Sequence, residues 1–459
     1  MHRTASTNAR VNGNDAAADA AHAAPATHDD AHGDAHAASA GAAGHGSRPA
    51  PVTVAAHRAA VRALLAPLRT AERVERVPLL AAQGRGLATG ILAPLDLPPF
   101  ANSQMDGFAI RSVDVSAGTE PAGTEPAGTE LTVVAPVPAG AAPAALAPGT
   151  AAPIMTGAMM PPGADAVVPI ELAFPDSFPD PGAPATVRLP ATAAGTYVRD
   201  AGSDIRAGEL ALDAGTFLGP GQLGLLAALG MTEVPVYPRL RVLLVTTGDE
   251  VVEPGRPLEV GKIYDSNGTL LESSMRQAGL QVTRTGISAD RPEQLATLLR
   301  LHAPAVDLIV TTGGVSKGAY EVVRQAMAGH DVTFTSVAMQ PGGPQGIGTF
   351  DGVPVLGFPG NPVSCLVSFE MFLRPVLSEL FGSPAPRPVV RARLAGALTS
   401  PEHKHQVRRG ALSADGTVRL EGGTGSHLVH ALAHSNALVH VPDGTSALAD
   451  GAEVEVWIL

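Results

Sequence analysis

From residue 240 onward the chain alternates short β-branched runs with amphipathic stretches, and this alternation limits the fold more than any other sequence feature. Each apolar run is too short for a free-standing helix and ends in glycine or a polar turn, which reads as a buried strand. The spacing predicts strands over 240–246, 280–287, 306–311, 331–337 and 353–358, and helices over 268–278, 292–302, 319–328 and 362–380. That order gives an α/β layer with a largely parallel sheet. The stretch 306–321, VDLIVTTGGVSKGAYE, is the unit on which the rest turns: a strand drops into Gly313-Gly314, and Ser316, Lys317 and Glu321 follow at its carboxyl end.

The remainder divides around this layer. Residues 1–50 are rich in Ala, His, Asp and Gly with no stripe of large apolar residues, which predicts a disordered tail. His22, His28, His32, His36 and His45 have metal-binding chemistry, but nothing nearby fixes their geometry, and a solvated tail is the preferred reading. From Thr53, Val54, Val61, Leu64, Leu65 and Leu68 recur at helical spacing, in a pattern extending to Pro78. Prolines 94, 98 and 99 then forbid a long helix before the polar knot NSQMDG at 102–107.

Three AGTE copies within 117–130 form a loop expansion too short for a solenoid, and PDSFPDPGAP is a second flexible loop. Valine-containing runs around them, LTVVAPV and ADAVVPIEL, predict a small β domain. After YVRDAGSDIRAGE, the leucines of LGPGQLGLLAALGM form one short helix ended by Gly230. Beyond Pro384, five strand-like runs separated by Gly, Asp and Ser predict a terminal β barrel or sandwich.

Net charge is -12 with no long basic block, which argues against nucleic acid and anionic membrane as partners. One cysteine, Cys365, excludes an internal disulfide and a cysteine-based zinc site. No apolar run approaches the roughly 20 residues of a bilayer span, and the first residues lack signal-peptide order. The expected compartment is the cytoplasm.

In an α/β sheet, the loops at the strands' carboxyl ends share a crevice. Three such loops carry reactive groups: Thr246-Thr247-Gly248-Asp249-Glu250, the turn 312–321, and Phe358-Pro359-Gly360-Asn361-Pro362-Val363-Ser364. Glycine turns entering helices offer free N–H groups to phosphate or another oxyanion. The carboxylates Asp249, Glu250, Asp265 and Glu321 would repel one another if crowded, a conflict that Mg²⁺ relieves. For Asp249 and Asp265, turn or helix capping is an equal alternative, and for Glu321 the favourable helix dipole is one. A P-loop is absent and no GxGxxG dinucleotide loop follows a strand of the α/β layer, which removes the main support for ATPase and hydride-transfer readings, and the Ser364 segment PGNPVS lacks the GxSxG elbow that a hydrolase reading would need.

From residue 53 to the C-terminus the chain resembles the molybdopterin molybdenumtransferase family, the bacterial MoeA proteins and the E domain of gephyrin. Seven motifs carry the resemblance in one order: DLPPFANSQMDGFAI, IMTGAMMPPGADAVV, YVRDAGSDIRAGE, TTGDE, IYDSN, TTGGVSKGAYE and GFPGNPVS. The resemblance implies an extended helical connector (51–100 and 196–238), an inserted β domain (101–195), an α/β molybdopterin-binding domain (239–383) and a C-terminal β barrel (384–459). It also implies insertion of molybdate into adenylylated molybdopterin with Mg²⁺-dependent release of AMP. A homodimer is implied, with the inserted domain of one subunit near the α/β domain of the other. The molybdopterin adenylyltransferase and molybdoenzymes are the implied protein partners.

Carried over by position, Asp265 and Glu321 match the family's metal-site carboxylates, the second being Asp elsewhere. Asp249, Glu250, Gly313, Gly314 and Ser316 match its pterin-nucleotide pocket, flanked by Pro359, Gly360 and Asn361. Asp106, Thr156, Glu171 and Asp204 match functional positions of the first two domains. Ser364, Arg409 and Ser426 match an oxyanion pocket for molybdate. One departure stands out: the family reads KPGKP where this chain reads Gln340-Pro341-Gly342-Gly343-Pro344. An amide and a glycine do not replace two cations facing a dianion, so Arg409, Arg408 or Lys404 is needed to supply charge. The alternative is a carrier that binds the pterin or finished cofactor without inserting metal.

Overall fold

The computed structural model describes residues 51–115, 127–180, 184–285, 291–315 and 321–459. The histidine-rich tail, most of the AGTE repeat, and Ser316 and Lys317 lie outside the described residues.

The predicted layer is a six-stranded sheet of β1 (Arg241–Thr246), β2 (Gln281–Arg284), β3 (Leu308–Thr312), β4 (Asp331–Ser336), β5 (Pro344–Phe350) and β6 (Val353–Phe358), in spatial order β2-β1-β3-β6-β5-β4. β2, β1, β3 and β6 run parallel, while β5 is antiparallel to both β6 and β4. Successive side chains of a strand point to opposite faces. Val242 and Leu244 therefore join Leu308, Val310 and Leu356 in a core with α1 (Ser266–Gln277), represented by Leu271 and Met275. Leu243 and Val245 join Ile309 and Val355 on the other face, beneath α2 (Pro292–His302) and α3 (Val322–Ala326). The first face also holds a long helical run, α4 (Pro362–Ser368), a π-turn (Phe369–Leu373) and α5 (Arg374–Phe381).

Three expectations require correction. β5 was not foreseen, because PQGIGTF reads as turn-forming. The helix expected over 319–328 is limited to Val322–Ala326 among the described residues. The helix beginning at Thr53, whose Oγ1 accepts from the Ala56 N–H at 3.1 Å, ends at Leu65 rather than extending toward Pro78. Pro67 has no N–H to donate, the chain tightens into a 3₁₀ turn at Ala66–Leu68, and Glu75–Pro78 is a strand paired with Glu233–Val236.

The 101–195 region holds a five-stranded sheet in the order Ala166–Pro169, Gly107–Ile110, Thr150–Ile154, Thr129–Val133, Thr186–Leu189. Near the C-terminus, strands Val389–Ala395, His405–Leu412, Thr417–Leu420, Ala437–Val441 and Glu453–Ile458 close into a barrel, since His405–Leu412 pairs with both Thr417–Leu420 and Ala437–Val441. A short strand, Met339–Gln340, leaves the α/β sheet and pairs in parallel with His405 and Gln406. This pairing docks the barrel against the sheet's carboxyl edge.

Candidate functional site

From β1 the chain passes through α1 to β2 on one side, then through α2 to β3 on the other. The connections diverge at the carboxyl ends of β1 and β3, and a crevice opens there. It is a cleft of about 980 Å³. Thr246, Thr247, Gly248 and Glu250 line it after β1, Gly313, Gly314, Val315 and Glu321 after β3, and Pro359, Gly360, Asn361 and Ser364 after β6. The Gln340–Pro344 loop forms another wall, and the barrel adds Lys404, Thr424, Ser426 and His427.

Polar contacts fasten the three loops to one another. Asn267, at the start of α1, donates through Nδ2 to Thr312 Oγ1 at 3.2 Å and to the Gly360 carbonyl at 2.5 Å. Thr312 Oγ1 also donates to the Pro359 carbonyl at 3.1 Å and lies 2.9 Å from Cys365 Sγ. Burial pushes the Cys365 thiol up to about 12, so it stays protonated and donates to the same carbonyl at 2.7 Å. Gly313 is required at its position: its φ is +90°, and a Cβ would lie 2.9 Å from the Thr247 carbonyl oxygen.

Glu250, Asp265 and Glu321 line the cleft, whereas Asp249 is not among the lining residues. Asp265 is 2% exposed and already engaged. Its Oδ1 accepts from the Gly268 N–H at 2.8 Å, capping α1, and its Oδ2 accepts from Arg284 at 2.7 Å. The capping alternative is therefore what the geometry displays for Asp265. Glu321 occupies the N-cap position of α3 with no side-chain cap bond, its carboxylate on the cleft wall. Among the described residues no group of three His, Cys, Asp or Glu side chains is arranged to hold a metal by itself.

On the oxyanion side, Asn361 Nδ2 donates to Ser426 Oγ at 2.7 Å, and the Val363 N–H donates to the Ser426 carbonyl at 3.0 Å, which brings the barrel loop to the start of α4. Ser364 is buried on the cleft wall. Arg409 does not line the cleft. Its guanidinium donates to the carbonyls of Glu421, Gly423 and Gly425 at 3.4, 2.5 and 3.1 Å, so it braces the loop that carries Thr424, Ser426 and His427. Arg408 reaches the Gly422 carbonyl at 3.3 Å. Burial lowers the affinity of both arginines for their protons, and Arg408 adds to the effect on Arg409.

Asp106, Thr156, Glu171 and Asp204 are exposed and lie outside the cleft. Asp106 accepts from the Thr156 N–H at 2.6 Å and Oγ1 at 2.8 Å, and these bonds hold its carboxyl below the usual range. Sequence reasoning missed His427, which carried no motif signal, and the roles of Tyr264 and Asn267 inside IYDSN, Tyr264 on the cleft wall and Asn267 as a bridge between loops.

Known proteins share this architecture along almost the whole described length. Residues 52–230 match the model of the MoeA N-terminal region (domain I and II), 243–379 that of a probable molybdopterin binding domain, and 391–459 that of the MoeA C-terminal region (domain IV). Molybdopterin molybdenumtransferase 2 of Mycobacterium tuberculosis is 43% identical over 86% of this chain and 98% of its own. The molybdopterin molybdenumtransferase of Synechococcus elongatus is 37% identical over 88% of this chain and 99% of its own. Among solved structures, the molybdopterin biosynthesis MoeA protein of Pyrococcus horikoshii superposes with a TM-score of 0.72 at 30% identity, covering 89% of this chain and 99% of that one.

Proposed function

Because the chain belongs to the molybdopterin molybdenumtransferase family, we propose that its cleft inserts molybdate into adenylylated molybdopterin with Mg²⁺-dependent release of AMP. The protein is a transferase of molybdenum cofactor biosynthesis, with molybdopterin and molybdate as its substrates. The observation that carries the finer reading is the convergence in one cleft of a glycine turn, three carboxylates and the Asn361–Ser426 pair.

Mg²⁺ keeps several waters and takes one or two carboxylates together with substrate phosphates. Glu250 and Glu321 fit such an ion arriving with a phosphoanhydride, and Asp265 keeps lone pairs beyond those used by Gly268 and Arg284. Bound there, the ion would polarise a phosphate oxygen and offset charge on the departing AMP. The protein's part is positioning. Gly313 lets the β3 loop pack against Thr247 of the β1 loop, Asn267 holds two loops at fixed separation, and Ser364 and Ser426 offer hydroxyls to molybdate. Asp106, Thr156, Glu171 and Asp204 serve the site of a second copy in a homodimer. No helix among the described residues is long and apolar enough to cross a membrane, and we place the activity in the cytoplasm with the adenylyltransferase and molybdoenzymes as partners.

The test is AMP release from adenylylated molybdopterin in a single turnover. Release should require both molybdate and Mg²⁺, stop on chelation, and fall roughly 100-fold in Glu321→Gln, the usual order for losing one charge-stabilising group. Tight pterin-nucleotide binding with no AMP release would favour the carrier reading, which Gln340 and Gly343 motivate.

A further inference from the structure

A cleft that admits an oxyanion beside three carboxylates needs positive charge on its anion side, since an unpaired dianion in a partly dry site is costly. Neither Arg409 nor Arg408 lines the cleft, and their guanidinium groups point to the carbonyls of the 421–425 loop. The Gln340–Pro344 wall is uncharged, and Gln340 Oε1 is taken by Gln406 Nε2 at 2.7 Å. Among the described lining residues, Lys404 is the one Lys or Arg. Its side chain is exposed and forms no hydrogen bond or ion pair with a described residue.

Lys404 is held in place through its backbone. Its N–H donates to the Pro401 carbonyl at 3.1 Å, and the next residue, His405, donates to the Ala338 carbonyl at 3.0 Å, in register with Met339. The barrel therefore delivers Lys404 beside the uncharged wall while its ammonium remains available.

We infer that Lys404 is the cation that captures molybdate in this protein, and that the barrel thereby sets the affinity for the metal substrate. This deepens the proposed activity and rests on it for the identity of the anion. The site divides into a carboxylate side built from the β1 and β3 loops, which takes the cation, and a barrel side, which takes the oxyanion. With one flexible ammonium in place of a rigid cluster, molybdate capture is salt-sensitive and tolerates Arg in place of Lys.

The test is calorimetric titration of the full chain with molybdate, with adenylylated molybdopterin already bound. Lys404→Met should weaken molybdate roughly 10- to 100-fold, the range for losing one charge-assisted hydrogen bond. Its affinity for the pterin nucleotide should change less than about twofold, because that ligand sits on the carboxylate side. Lys404→Arg should recover most of the loss, and the wild-type salt dependence should disappear in the Met variant. Unchanged molybdate affinity in Lys404→Met, or equal loss for both ligands, would overturn the assignment. Molybdate binding through Lys404 without any AMP release would leave this inference standing and overturn the catalytic reading instead.

Discussion

Gly268 shows how a single residue preserves the charge pattern of the cleft. A Cβ there would lie 2.6 Å from Arg284 Nε and 2.7 Å from Cζ, and would also meet Asp265 Oδ2. The Asp265–Arg284 pair is nearly buried, with side-chain exposures of 1% and 17%, so displacing Arg284 would strand a carboxylate away from water. Gly268→Ala should cost roughly 2 to 4 kcal/mol in urea unfolding, the loss of a buried pair less the helix preference of alanine. A stability equal to or above wild type would mean that Arg284 relocates freely. Sequence reasoning found Asp265, because a carboxylate before a helix is a local signal, but could not find Arg284, which lies 19 residues away at the end of β2. The loop-bracing bonds of Arg409 were illegible for the same reason. Its charge is conspicuous in the sequence, while the three carbonyls that occupy it belong to a loop brought near by barrel closure.

At the scale of elements, the parallel strands and their helices were legible because each is a long apolar run with clear punctuation; β6 and α2 match their expected bounds. β5 was illegible because Pro344, Gly346 and Gly348 have low strand preference. Its position comes from partners on both sides, and a Cβ at Gly348 would strike the Asp331 backbone. That strand also supports the cleft floor. Gln345, fully buried, donates through Nε2 to the Gly342 carbonyl and to Ser368 Oγ, both at 2.7 Å, fixing the uncharged loop from beneath. Gln345→Leu should lower stability by about 1 to 3 kcal/mol, the cost of leaving buried groups unpaired. It should also raise the KM for molybdate more than that for the pterin nucleotide. Steady-state kinetics with each substrate varied in turn checks this, and equal effects on both would show that the loop keeps its shape without Gln345.

Across the whole molecule, the first helix joins units that the chain order separates widely. Arg58 donates to the Met371 carbonyl at 2.9 Å in the π-turn and sits 5.9 Å from the ring of Trp457 in the barrel. Beside it, His57 meets Phe372 edge-on at 4.5 Å, and His440, 3.0 Å from His405, packs against Trp457 at 4.3 Å with the rings tilted by 37°. Burial lowers His57 to about 4, and burial with His405 and Arg58 nearby lowers His440 to about 3. Both rings are neutral in the folded protein, whereas in the unfolded chain they take up protons near pH 6.5. The stability they carry is therefore complete above pH 6.5 and is lost as pH falls toward 4 and 3, at about 1.4 kcal/mol per pH unit for each ring. Between pH 7.5 and 5.0, His57→Phe should lose about 2 kcal/mol less than wild type in chemical unfolding, since 1.5 units of that interval lie below the unfolded pKa. If wild type and variant lose equal stability over that interval, the acid sensitivity arises elsewhere, and the joint between the first helix and the π-turn is not where protons enter.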